Sequence, residues 1–149
     1  MLCPVLCSFL YKLLHQILPT AERVARILPN QSQSCSRCQP VSDIVETLKH
    51  ALFECPSNHG VGTVLHNGLK KYIPNLTTNM ILTLDFQIEE EYLFPIVWTT
   101  ASFLSTVWQL RTEKKRVELM KIRSELEASC TLLRKSRLSK TIEMLTNLF

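Results

Sequence analysis

A mainly α-helical domain is what this sequence predicts, and three observations carry the prediction. Glycine, which strand-rich folds need at their turns, occurs only three times. Apolar residues recur at three- and four-residue spacing through most of the chain. Residues able to staple a small helical fold gather in one stretch, SCSRCQPVSDIVETLKHALFECP, residues 34–56. With 149 residues, 46% of them apolar and 20% charged, the chain can bury one core and is not composed like a disordered segment.

The elements follow in order. Phe9, Leu10, Leu13, Leu14, Ile17 and Leu18 form a helical stripe over residues 5–18. In LPTAERVARILPN, Thr20 is an N-cap for a short helix whose inner face is Val24, Ile27 and Leu28, and Pro29-Asn30 ends it. Ser42 is the expected N-cap of a helix running to about Glu54, with Asp43 and Glu46 in its first turn. Val45, Leu48, Leu52 and Phe53 give that helix its buried side. Val61, Val64, Leu65 and Leu69 mark a further helix over residues 60–73, closed by Pro74. The MILTLDF stretch reads as a helix or a short extended piece. Glu89, Glu90 and Glu91 then cap a central helix from Pro95 onwards, apolar on two adjoining faces.

Residues 92–110 carry no charge over 19 positions, enough for a marginal membrane span. Hydroxyl residues in the middle, Gln109 and Pro95 dilute the run, and a buried helix is the expectation. Past Arg111 the pattern is amphipathic and basic, a long helical segment with Leu119, Leu126 and Leu133 at seven-residue spacing. That stripe permits helix pairing and hence self-association. The chain thus divides into N-terminal helices (1–33), a cysteine–histidine module (34–57) and a helical C-terminal region (58–149).

Cys35-x2-Cys38 can bring two thiolates to one ion from a tight turn. His50-x4-Cys55 can add an imidazole from the helix and a thiolate from just beyond it. Four such ligands complete a tetrahedron around Zn²⁺ and leave no place for a catalytic water. The alternative is four unmetallated packing residues. Glu46, one turn before His50, is placed to accept the other ring proton of the imidazole. Cys3, Cys7 and Cys130 read as buried and inert. His15, His59 and His66 read as surface or satisfied core groups, with His59 the one substitute ligand.

Charge is uneven. Residues 1–110 hold seven Lys/Arg against eight Asp/Glu, whereas residues 111–149 hold ten against five. Such a basic tail suits RNA or DNA backbone, with a solvated helical face as the alternative. The candidate phosphate contacts are Arg37, Lys49, Lys114, Lys115, Arg116, Lys121, Arg134, Lys135, Arg137 and Lys140, joined by Arg23 and Arg26 near the module. The two aspartates, Asp43 and Asp85, have no acidic neighbours, and no phosphate-cradling loop or nucleophile–base pair is present. Enzymatic activity in this chain is therefore not expected. Without a basic lead-in or cleavage site at the N-terminus, the expected location is the nucleus or cytoplasm, with reduced cysteines.

LPTAERVARILPNQSQSCSRCQ followed by ETLKHALFECP resembles the C-terminal zinc-binding region of non-LTR (LINE-type) retrotransposon reverse transcriptases. Leu18-Pro19-Thr20 and Arg23 match its lead-in, Cys35, Cys38, His50 and Cys55 its ligand set, and Glu46-Thr47 and Leu52-Phe53 its packing pattern. Residues 8–57 carry the likeness, which extends weakly over 92–112 to a tryptophan-containing helix ending in arginine. Gln39 stands where that family often has glycine, and the Cys38–His50 interval is longer. The resemblance implies a zinc-binding, nucleic-acid-holding module detached from its polymerase core, whose paired aspartates have no counterpart here.

Overall fold

A computed structural model describes residues 4–38, 43–130 and 135–149. It is mainly helical, and among the described residues the single β contact is an isolated antiparallel bridge, Ser34 to Val45. Helix α1 (Pro4–Leu14) is followed by α2 (Ala21–Ile27). A π-helical turn (His50–Glu54) and a 3₁₀ turn (Pro56–Asn58) lead into α3 (Val61–Lys70) and α4 (Thr78–Thr83). The long α5 (Glu90–Thr112), α6 (Leu119–Cys130) and α7 (Lys135–Leu148) complete the chain.

Helix α5 is the axis. Ile96, Trp98, Ala101, Phe103, Leu104, Val107 and Leu110 are all buried, so apolar side chains leave it in every direction and α1, α6 and α7 lie against it. Burying one such leucine or phenylalanine stabilises by about 1.5–3 kcal/mol, which makes this helix the main source of cohesion. The uncharged run is thus interior, and no helix among the described residues is long and apolar enough to cross a membrane. The helix starts at Glu90, five residues before the expected Pro95, because Glu90 and Glu91 suit the positive end of the helix dipole. One hydrophobic cluster extends from Leu6 to Leu145 and takes in Leu52, so the three sequence-defined segments share a core.

Several expectations are corrected. Helix α1 ends at Leu14, because Gln16 adopts a left-handed conformation (φ 53°) and Ile17 N–H bonds back to Lys12 O. Thr20 does cap α2, accepting from Arg23 N–H at 3.4 Å, but Ile27 and Leu28 face solvent. This two-turn helix turns in the small Ala25 instead, which lets it lie close. The helix expected from Ser42 begins only at Leu48, capped by Thr47, whose Oγ1 accepts from His50 N–H at 3.0 Å. Val45 is spent on the bridge and is exposed. Ser42, Gln39, Cys3, Leu133 and Arg134 lie outside the described residues. Of the leucine stripe, Leu126 is buried and Leu119 packs on the core, so both are used within the chain.

Helix α3 is pressed against the π turn. A Cβ added at Gly62 would sit 2.8 Å from Phe53 Cα, so only glycine lets the two backbones meet. That contact, with Asn58 Nδ2 donating to Ala51 O at 2.8 Å, fixes the turn bearing His50 and Cys55.

Candidate metal centre

The backbone brings the four candidate ligands together by three local devices. Cys38 N–H bonds Cys35 O at 3.1 Å, closing the Cys-x2-Cys turn. Cys35 N–H to Ile44 O and Glu46 N–H to Gln33 O, both 2.8 Å, lash that turn to the returning chain. Cys55 N–H then reaches five residues back to His50 O at 2.8 Å. A π turn of this width sets the first and last residues of HALFEC on the same side.

The result is a cluster of Cys35, Cys38, His50 and Cys55, all buried, with ligand atoms within 4.8 Å of one another. Sγ of Cys55 lies 3.8 Å from that of Cys35 and 3.5 Å from that of Cys38, while Cys38 Sγ lies 3.4 Å from His50 Nε2. Bonds of about 2.3 Å to sulfur and about 2.0 Å to nitrogen give a tetrahedron edges of roughly 3.8 and 3.5 Å. The donor set and its spacing therefore fit a tetrahedral metal ion. The three cysteines of the cluster are free thiols, too far apart to be disulfide-bonded.

Electrostatics around the sulfurs are uneven. Burial and the two neighbouring thiols push the Cys38 thiol up to about 12. Burial opposes ionisation of Cys55 as well, yet hydrogen bonds from Ser57 and Arg111 bring it down to about 6. Ser57 is a hub: its Oγ is 2.9 Å from Cys55 Sγ and accepts from Arg37 Nε at 3.2 Å and Arg111 Nη1 at 3.5 Å. With Cys55 as thiolate, the hydroxyl donates to sulfur and both its lone pairs are taken.

Arg111, at the end of α5, is the residue beside the cluster that spacing did not reveal. Its buried guanidinium donates from Nη1 to Asn58 Oδ1 (3.0 Å) and from Nη2 to Glu46 Oε2 (2.9 Å) and Cys35 Sγ (3.6 Å). Burial disfavours its charge, but the Cys55 and Cys35 sulfurs and Glu46 outweigh that and hold its pKa above the usual arginine range. The available signals are a cation closing a 19-residue uncharged run and the weak likeness over 92–112 to a tryptophan-containing helix ending in arginine.

Glu46 does not serve His50. It precedes the helix rather than lying within it, so it shares no helical face with the imidazole. Its Oε1 accepts from Ala21 N–H at 3.2 Å at the start of α2, and its Oε2 takes Arg111. Glu46 thus ties α2, the module and α5 together. His59 stands apart from the cluster in a left-handed conformation (φ 51°), His66 Nε2 lies 3.3 Å from Leu76 O, and His15 packs on Tyr11. Cys130 is buried as expected, whereas Cys7 is exposed.

Among the described residues, most of the candidate phosphate contacts already have partners. Arg37 turns inward, donating from Nη1 to Arg111 O and from Nη2 to Lys115 O, where it complements the negative end of α5. Lys49 pairs with Glu54, Lys115 with Glu113, Arg116 and Lys121 with Glu118, and Lys140 with Glu91. Arg26 pairs with Glu22, and Arg23 donates to Gln16 O. Lys114 makes no ion pair among the described residues, and the side chains of Lys135 and Arg137 lie outside them. Scans against protein-family models, curated proteins and solved structures find no match, so the reverse-transcriptase likeness rests on the quoted residues.

Proposed function

We propose that this chain is a non-catalytic module closed by a structural zinc ion held by Cys35, Cys38, His50 and Cys55. One observation carries this reading: four buried soft or borderline donors at tetrahedral spacing, which satisfy the ion fully. Three thiolates and one Zn²⁺ leave one negative charge, and Arg111 stands beside it. Substitution with cobalt(II) tests the closed site. One metal per chain and the visible spectrum of tetrahedral sulfur–nitrogen coordination are expected, unchanged by added imidazole. Entry of imidazole into the coordination sphere would instead reveal an open position.

A second reading, contact with RNA or DNA backbone, is supported by the excess of ten Lys/Arg over five Asp/Glu in residues 111–149 and by the retrotransposon resemblance. The ion pairs on Lys115, Arg116, Lys121 and Lys140 do not oppose it, because solvent screens such exposed pairs and they exchange readily for phosphate. In fluorescence anisotropy, affinity for a labelled single strand is expected to fall at least tenfold between about 50 and 200 mM salt. Salt-independent binding, or none at low salt, would leave the module as a protein-binding or purely structural scaffold.

A further inference from the structure

Where the cysteine module meets the end of α5, Pro19, Ser36, Arg37, Trp108, Arg111 and Lys114 line a cleft of about 590 Å³. That volume lies within the usual small-molecule range of roughly 300–1,000 Å³. Arg111 and Thr112, three and four residues after Trp108 on α5, each lie about one turn beyond it and border the same cleft. Half-buried Trp108 contributes an aromatic wall.

The cations of the cleft are not equivalent. Arg111 commits its two terminal nitrogens to Ser57, Asn58, Cys35 and Glu46, so the carboxylate that also lines the cleft is paired. Arg37 uses three of its N–H groups, on Ser57 Oγ, Arg111 O and Lys115 O. A guanidinium has five, so two remain. Lys114 occupies a left-handed backbone position (φ 56°), where glycine would be less strained, and makes no ion pair among the described residues. Among the described residues its ammonium has no partner, and the cleft it lines also holds Ser36.

An aromatic wall beside two cations with spare donors suits a planar ring carrying a phosphate. We infer that this cleft binds one nucleotide unit, its base against Trp108 and its phosphate between Lys114 and Arg37. Ser36 and Arg37 sit between the two cysteines of the Cys-x2-Cys turn, so the site rests on the metal reading: the ion that closes the turn also builds this wall of the cleft. The same chemistry is offered by a free nucleotide and by the terminal residue of a strand.

The zinc-loaded full chain is titrated with adenosine monophosphate, adenosine, inorganic phosphate and a 5′-phosphorylated single-stranded oligonucleotide, while the two tryptophan indole signals are followed by NMR. Adenosine monophosphate is expected to shift Trp108 saturably, to leave buried Trp98 unmoved, and to bind about tenfold more tightly than adenosine or phosphate alone. Lys114→Gly, which suits the positive φ and so preserves the fold, is expected to weaken that binding about fivefold to tenfold. Equal affinity of monophosphate and oligonucleotide identifies a free nucleotide, and tighter oligonucleotide binding, also weakened by Lys114→Gly, identifies a strand end. An unmoved Trp108, or unchanged affinity in Lys114→Gly, overturns the inference. Zinc content of the same sample separates the failures. Loaded protein blind to the nucleotide sinks the cleft alone, whereas a chain that takes up no zinc sinks the metal reading and the cleft together.

Discussion

Chelating the metal, or replacing Cys35 with serine, is expected to release residues 33–38 and 43–58 from protection against hydrogen exchange while α5 stays protected. Beyond the polar contacts of Arg111, Glu46 and Asn58 and the seat of the π turn against α3, the module has little else to hold it. Its buried apolar side chains are chiefly the three cysteines, Ala51 and Leu52, and its sheet-like pairing is one bridge. Zinc bound to a structural site of this kind contributes an apparent ~10–16 kcal/mol at neutral pH, as much as the net stability of a typical domain. Serine keeps the size of Cys35 but supplies a poor zinc ligand, so the variant should resemble the chelated protein. Helix α5 rests on the larger cluster from Leu6 to Leu145 and should keep its slow amides. Unchanged exchange in the apo protein would show that packing alone holds the cysteines.

Acid should act in the same direction as chelation, because metal and protons compete for sulfur. With Cys38 pushed up to about 12, zinc must displace its proton throughout the ordinary pH range. Cys55, brought down to about 6, is already a thiolate at neutral pH and needs deprotonating only below that value. Metal affinity should therefore fall as pH falls, and fall more steeply once pH passes below about 6.

The ligand set was legible in the sequence because two local spacings define it, Cys-x2-Cys and His-x4-Cys, and each is built by a turn formed of its own residues. The central helix was legible for a similar reason: an uncharged run of that length has few places to go but the interior. Where reading failed, a distant partner had overruled a local pattern. Val45 has the spacing of a helix face, but Ser34, eleven residues earlier, captures it in a bridge and delays the helix to Leu48. Glu46 reads as a partner for His50 only if both share that helix; because the helix starts later, the carboxylate meets Arg111, 65 positions away. Arg37 has the composition of a phosphate contact, but three of its N–H groups also serve Ser57 and the end of α5, which no local spacing reveals. No local periodicity encodes a contact between a turn and the far end of a helix, and the polar ring around the sulfurs consists of such contacts.

Arg111 is where those long-range contacts converge, and its loss should be the most damaging single change outside the ligands. Its side chain is 4% exposed and that of Glu46 13%, so Arg111→Met would leave a largely buried carboxylate without its cation. Breaking a buried pair from one side costs about 3–5 kcal/mol, because the surviving charge keeps its desolvation penalty. Glu46→Leu alone strands the guanidinium, although the Cys35 sulfur and Asn58 still receive it. Removing both partners together should cost less than the sum of the single changes, with a coupling of about 1–3 kcal/mol in urea unfolding at saturating zinc. Arg111→Lys should not rescue, since one ammonium cannot span Glu46, Asn58, Ser57 and Cys35 as a planar fork does. Zinc competition with a chelator supplies the readout that distinguishes the roles. If Arg111 only packs, metal affinity in Arg111→Met will match the parent; if its charge supports the thiolates, affinity will fall about tenfold or more while Glu46→Leu, which keeps that charge, stays closer to the parent.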